Sequence, residues 1–286
     1  MFTYNDVYLK VRKSLRAAGV ESYDLEARLI VAHAAGKTRE ELLGSSRLYI
    51  SDNSIIDSAE KMVERRLGGE PVAYIVGEWE FYGLPLTINE TVLIPRVDTE
   101  VLAGEAIRLV KQRDGKTRML DLCAGSGAIG LAVAANVADC RIVLADNSDQ
   151  VLAVCRNNML RNRLSRNVTA IMVDVMETPP TLLGTFDVIV SNPPYIPTDQ
   201  IKSLDISVRC FEPRLALDGG NDGLDFYRAI VENWSKLLKQ GGYLAFECGI
   251  GQSGAVREIM EKNRFFGITT HMDTIGVERV VIGMLR

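Results

Sequence analysis

Arg118-Met-Leu-Asp121-Leu-Cys-Ala-Gly125-Ser-Gly127-Ala-Ile-Gly130 decides how this chain of 286 residues is read. A strand-length run, Arg118 to Leu122, ends beside a turn with G-x-G-x-x-G spacing that opens a helix. Glycines at that spacing let the backbone turn tightly and bring its N–H groups and the helix start close to a ligand. Asp146 ends the next strand candidate, 21 residues after Gly125, where a carboxylate accepts both ribose hydroxyls of an adenosine moiety. Asp174, at the end of the third strand, is placed to meet the adenine edge. A strand-to-helix turn can also use glycine for packing alone, so the two acids on successive strand ends carry the argument.

Around this segment the chain alternates between β-branched runs and helical stretches from about residue 99 onward. The strand candidates are Arg118 to Leu122, Arg141 to Ala145, Val168 to Val173, Phe186 to Ser191 and Tyr243 to Cys248. The stretch Leu224 to Leu238 is predicted to be helical, with Tyr227, Ile230, Trp234, Leu237 and Leu238 on one stripe. Such alternation predicts an α/β fold with a parallel sheet covered on both faces. Ile268 to His271 and Val280 to Leu285 add a final antiparallel pair, which makes the sheet mixed and seven-stranded. Before residue 75 apolar residues recur at helical spacing: Val7, Val11 and Leu15, then Leu25 and Leu29, then Ala59, Met62, Val63 and Leu67. This part reads as a small helical bundle, with a capping box at Thr38 and Glu41 and stops at Gly36 and Gly68-Gly69. Glu78 to Ile88 alternates around Gly83 as a hairpin, and the linker is placed there.

With 33 basic against 37 acidic side chains the formal charge is -4, which makes a nucleic-acid footprint unexpected. The longest uncharged stretch, Leu122 to Ala138, is too short and too polar to span a bilayer, so no membrane partner is expected. The basic first twenty residues resemble a transit peptide faintly, but they read as an ordinary amphipathic helix. Five cysteines without a C-x-x-C pair suit a reducing cytoplasm and indicate neither a zinc site nor a disulfide framework. Two histidines, His33 and His271, leave little material for a His-based triad or metal site. Asp218 to Gly223 lacks the spacing of a calcium loop and reads as a glycine-rich turn, so no metal is expected.

Two ligands fit the glycine loop, a nicotinamide dinucleotide or S-adenosylmethionine. Asp121 favours the second, since a carboxylate there suits the ammonium of a methionine tail and repels a pyrophosphate. The deciding segment is Phe186-Asp-Val-Ile-Val-Ser-Asn192-Pro193-Pro194-Tyr195, an apolar strand that ends in a stiff polar tetrapeptide. Both prolines fix φ, and Pro193 brings no N–H, so its carbonyl and the Asn192 amide oxygen can converge on a planar NH2 group. Accepting both hydrogens of such a group orients its conjugated lone pair toward an electrophilic methyl and favours positive charge on nitrogen. Tyr195 can pack its ring on the flat face of the substrate.

At these residues the sequence resembles the class I S-adenosylmethionine-dependent methyltransferases, and more specifically the HemK/PrmC-type protein-(glutamine-N5) methyltransferases. The likeness extends over nearly the whole chain, through Gly77 to Gly83, Leu93-Ile-Pro-Arg96-Val-Asp98-Thr-Glu100 and Phe211 to Asp225. It implies a Rossmann-like methyltransferase domain over residues 99–286, a β-hairpin linker over 75–98, and a helical release-factor-binding domain over 1–74. The implied reaction is methyl transfer from S-adenosyl-L-methionine, with S-adenosyl-L-homocysteine as product, to the N5 of the Gly-Gly-Gln glutamine of peptide chain release factors. The implied cofactor residues are Cys123, Ala124, Gly125, Ser126, Gly127, Asp146, Asp174, Val175 and Asn192; Asn192, Pro193, Pro194 and Tyr195 form the implied glutamine clamp, with Asn192, Pro193 and Tyr195 as its catalytic members. A cytoplasmic monomer acting on a protein in translation termination is expected. Cys123 departs from the family's usual glycine, Val97 from its proline, and Val175 from a frequent aromatic. An N-methyltransferase acting on an exocyclic amine of a nucleic-acid base is the alternative, because the same clamp fits a flipped base; an oxidoreductase or non-catalytic binder on the same sheet is a third.

Overall fold

A computed structural model describes residues 1–286, which divide into two compact units, Met1–Glu78 with Asp205–Phe211, and Trp79–Leu204 with Glu212–Arg286. The first unit is built from α1 (Tyr4–Ala17), α2 (Tyr23–Ala34), α3 (Arg39–Gly44), α4 (Ser54–Leu67) and α5 (Val72–Val76). Capping boxes start two of these helices: Thr3 with Asp6 at α1, and the expected Thr38 with Glu41 at α3. Gly77, left-handed at φ +72°, closes α5.

Val7, Val11 and Leu15 of α1, Ala27, Ile30 and Val31 of α2, and Ala59 and Val63 of α4 are buried. The stripe differs from the sequence reading at two leucines, because Leu25 is 40% and Leu67 49% exposed. On α2 the buried face is turned one residue onward, to Glu26. There the Arg66 guanidinium donates to both carboxylate oxygens of Glu26, at 2.6 and 3.3 Å, and the Ser22 hydroxyl adds a third bond at 3.0 Å. A two-pronged, charge-assisted pairing of this kind is what makes a buried carboxylate tolerable in a small helical core.

The second unit begins with the hairpin of β1 (Glu78–Phe81) and β2 (Leu84–Thr87), then runs through α6 (Thr99–Lys111), β3 (Thr117–Leu122), α7 (Ala128–Asn136), β4 (Cys140–Asp146), α8 (Asp149–Arg161), β5 (Val168–Met172) and β6 (Phe186–Ser191). The single turn α9 (Ile206–Arg209) belongs to the first unit, whereas the sequence reading runs the sheet domain unbroken from 99 to 286. The second unit resumes with α10 (Asp225–Ala229), β7 (Leu238–Glu247), α11 (Ser253–Glu261), β8 (Phe265–Met272) and β9 (Glu278–Leu285). The strands form one mixed seven-stranded sheet in the order β5-β4-β3-β6-β7-β9-β8, as the α/β reading expects. β5 through β7 are parallel, while β9 lies antiparallel between β7 and β8. No helix is long and apolar enough to cross a membrane.

Every residue of β6 is buried, as a strand covered on both faces requires. Leu120, Leu122, Val143 and Ala145 point into a core shared with Tyr227, Trp234, Val256 and Met260 of the α10–α11 side. Asp121 and Leu144, paired in register, point to the opposite face, where α7 packs. The segment predicted as one helix over Leu224 to Leu238 keeps Tyr227, Ile230 and Trp234 fully buried but changes its winding: α10 passes into a π turn at Ile230–Trp234 and a 3-10 turn at Ser235–Leu237. The segment is tied to the sheet side before and at the end of the widened stretch, the Tyr227 hydroxyl donating to the Glu247 carbonyl and the Trp234 indole to the Val175 carbonyl, each at 2.9 Å. Periodicity reports the buried stripe and not the register change inside it.

A tight helix–sheet contact lies at Gly130 in α7. A Cβ there would overlap the Leu144 side chain and stand 3.1 Å from both Asp121 Oδ2 and Ile142 Cγ2. Gly130→Ala is therefore expected to be destabilising, because overpacking of about 1–3 kcal/mol outweighs a helix-propensity gain of about 1 kcal/mol. A lower urea midpoint at unchanged m-value checks this; an unchanged midpoint refutes the tight packing.

Candidate active site at the carboxyl ends of the parallel strands

Parallel pairing brings the carboxyl ends of β3, β4 and β6 to one edge, with Leu122 opposite both Ala145 and Ser191. The order of strands reverses between β3 and β6, and open α/β sheets bind ligands at such a crevice. A cavity of about 480 Å3 lies there, lined by the loop Cys123–Ser126, by Asp146 to Ser148, by Asn192 and Pro194, and by Thr91 to Leu93, Leu215 and Ala216.

The loop's shape follows from its left-handed residues: Cys123 at φ +57°, Gly125 at +55° and Gly127 at +81°. Cys123 adopts a conformation that costs an L residue about 1–2 kcal/mol, which is where its departure from glycine is felt. Gly127 caps α7, and a Cβ on it would come 2.9 Å from Leu144 Cδ1. The Gly125 N–H donates to Asp146 Oδ2 at 3.0 Å, and the Asn147 N–H donates to Asp146 Oδ1 at 2.9 Å. Each oxygen keeps a further lone pair for a ligand hydroxyl. Burial pushes the Asp146 carboxyl above its ordinary range, against these backbone bonds. The Cys155 thiol donates to the Gly125 carbonyl at 3.0 Å.

Asp121 is buried beneath the loop. Its Oδ2 accepts the Gly130 N–H at 2.8 Å, while Oδ1 has no partner at all. Burial, with the negative charge of Asp146 adding to it, pushes this carboxyl up to about 7. An orphaned buried carboxylate oxygen beneath the loop that lines the cavity suits a cation and is mismatched to a pyrophosphate. The ammonium and ribose of S-adenosylmethionine therefore fit the donors and acceptors present.

The Asn-Pro-Pro-Tyr segment is held from three directions. The Asn192 amide nitrogen donates to the Thr99 hydroxyl at 3.3 Å. The Gln252 side chain joins the Tyr195 carbonyl, through Nε2 at 2.9 Å, to the Gly249 N–H, through Oε1 at 2.9 Å. The turn after Asp218 lies flat on Tyr195: a Cβ on Gly219 would come 2.7 Å from Tyr195 Cα, and one on Gly223 would collide with the Tyr195 carbonyl oxygen. Burial raises the Tyr195 phenol well above its ordinary range, so it stays protonated.

Of the residues singled out in the sequence, Cys123, Ala124, Gly125, Ser126, Asp146, Asn192 and Pro194 line the cavity together. Asp121, Gly127, Asp174, Val175, Pro193 and Tyr195 do not line it, Asp121 lying buried beneath the loop. Asp174 Oδ1 accepts the Met176 N–H at 2.9 Å, and Val175, 4% exposed, packs in the core. Thr99, Gln252 and Glu247 were not reached by sequence reasoning. Gly219 and Gly223, read there as part of a glycine-rich turn, carried the available signal in their tight spacing.

The PrmC N-terminal domain family model matches residues 6–77, and the methyltransferase small domain model matches residues 103–212. The release factor glutamine methyltransferase of Clostridium acetobutylicum is 34% identical over 279 residues, spanning 98% of this chain and 97% of the relative. That of Geobacter sulfurreducens is 36% identical over 285 residues, spanning 100% and 98%. That of Caulobacter vibrioides is 38% identical over 270 residues, spanning 94% and 92%. Among solved structures, the hMettl16 catalytic domain aligns with a TM-score of 0.57 at 15% identity, over 72% of this chain and 77% of that one. A methyltransferase from Pyrococcus furiosus aligns at 0.51 and 18% identity, over 79% and 98%. These two likenesses speak to the fold alone. The full-length matches at this identity settle the family: the chain belongs to the release factor glutamine methyltransferases.

Proposed function

We propose that this protein methylates the side-chain amide nitrogen, N5, of the glutamine in the Gly-Gly-Gln motif of peptide chain release factors, using S-adenosyl-L-methionine in the cytoplasm. The observation that carries the reading is the Asn192 amide, anchored by its nitrogen on Thr99 beside the cavity. When bound, the cofactor supplies an electrophilic methyl on a sulfonium centre. Asp146 would hold its ribose and Asp121 its ammonium.

The chain's part in the chemistry is positional. With its nitrogen held by Thr99, Asn192 offers its oxygen, and the Pro193 carbonyl, free of the strand ladder, offers a second acceptor. Together they take both hydrogens of the substrate amide and aim its lone pair, and they favour the positive charge that grows on nitrogen. Pro194 and Tyr195 complete the clamp. The nitrogen sheds its proton after transfer, so no general base is needed before the transition state. The helical unit, read as release-factor-binding, would present the substrate loop.

Incubation with labelled cofactor and a release factor is expected to place label on the Gly-Gly-Gln glutamine; label on RNA or DNA instead would favour the base-directed alternative. Asn192→Ala should lower kcat by about 100- to 1,000-fold with the affinity for S-adenosylhomocysteine within a few-fold, and full retained activity would refute the clamp. Cofactor binding should also be linked to protons. Burial holds Asp121 at about 7 in the free protein, and an incoming ammonium favours its carboxylate, so binding lowers that pKa. Affinity should therefore rise with pH between about 6 and 8, with proton release near neutrality. Calorimetry in buffers of different ionisation enthalpy measures this, and Asp121→Asn should abolish it.

A further inference from the structure

Glu247 ends β7 directly behind the clamp. Ser191 pairs with Phe246 across β6 and β7, so the next residues along the two strands, Asn192 and Glu247, reach the same level of the sheet edge. The Glu247 side chain is only 2% exposed, and its Oε2 has no partner. The Thr99 hydroxyl and the Asn192 amide are the neighbouring polar groups that oppose the effect of burial on its carboxyl. Its other charged neighbours are committed elsewhere: Arg279, from β9, pairs with Asp98 and Asp273 at 3.0 Å each. Tyr195 and Cys248 flank it, and the Tyr227 hydroxyl is taken by the Glu247 carbonyl.

A hydroxyl has one proton to give. Thr99 Oγ1 accepts from Asn192 Nδ2, which leaves its own proton for another acceptor, and the unpartnered oxygen of Glu247 is the acceptor that strand register brings to this level. We propose that Glu247 is a positioning residue whose carboxylate, acting through Thr99, keeps the Asn192 amide turned with its nitrogen inward and its oxygen toward the substrate. A carboxylate only accepts, so the chain of bonds runs one way, from Asn192 N–H to Thr99 to Glu247. A carboxylic acid at the same place donates instead. Thr99 then gives its proton to the Asn192 oxygen, the amide turns over, and its NH2 meets the NH2 of the substrate glutamine. The inference rests on the clamp proposed above and names what orients it.

Burial pushes the Glu247 carboxyl up to about 7, with Thr99, Asn192 and Arg279 opposing the rise and Asp98 adding to it. The two forms therefore exchange near neutrality. At saturating cofactor and release factor, kcat of the full-length protein should rise with pH through this range, because only the ionised form holds the amide correctly. Glu247→Gln should lower kcat about 10- to 100-fold, as loss of a group that orients a functional side chain does, and should remove the pH limb. Affinity for S-adenosylhomocysteine and its Asp121-linked proton release should persist. Thr99→Val should behave like Glu247→Gln, and Thr99→Ser should restore activity. Glu247→Gln removes a buried charge, so its urea midpoint at pH 8 should equal or exceed that of the parent, which separates loss of activity from loss of fold. Retention of the parent's kcat and pH limb in Glu247→Gln, while Asn192→Ala is inactive, would overturn this inference alone. Full activity of Asn192→Ala would instead overturn the clamp on which it rests.

Discussion

The approach of α7 to the sheet at Gly130 is the constraint on which the cavity depends. With no Cβ at that position the helix comes close enough for its amide to reach Asp121 on β3, and Leu144 on β4 fills the space a side chain would need. Gly127, left-handed at the helix start and packed on the same Leu144, then directs the preceding loop across the strand ends. On that path the Gly125 amide reaches Asp146. One missing methyl group thus couples helix packing to the geometry of a cofactor loop.

Around this contact the protein keeps carboxyl groups where burial disfavours their charge. Asp121 and Glu247 each leave one oxygen without a partner, and each is pushed up to about 7. Both raise stability as pH falls from about 7 toward their ordinary values, since the folded state then binds protons that the unfolded state does not. A fold does not collect such groups for its own stability. Unsatisfied buried acceptors mark places where charge and hydrogen bonding are reserved for a ligand or for a neighbouring side chain.

Much of the architecture is legible in residue patterns, and so is part of the set of strand-end residues at the cavity. Glycine spacing, the acids at Asp121 and Asp146, and the Asn-Pro-Pro-Tyr terminus are local features with local chemistry, and a reader of the chain can see each. The reading fails where a partner is distant in sequence. Leu25 and Leu67 look like core positions by period, but the pairing of Glu26 with Arg66 across 40 residues turns α2 by one position. Gln252, which holds Tyr195 from 57 residues away, carries no motif at all.

The sequence by itself determined the alternation of strand and helix, the two-part organisation and the residues offered at the strand ends, because backbone propensity and periodicity act over a few neighbours. Tertiary structure alone decided which of those residues meet. It brought Thr99 and Glu247 behind Asn192, laid the glycine turn after Asp218 on Tyr195, and returned Asp205–Phe211 to the helical unit. Those choices depend on strand register and on pairing across long loops, where a shift of one residue exchanges the two faces of a strand. Side-chain spacing along the chain contains no record of that register.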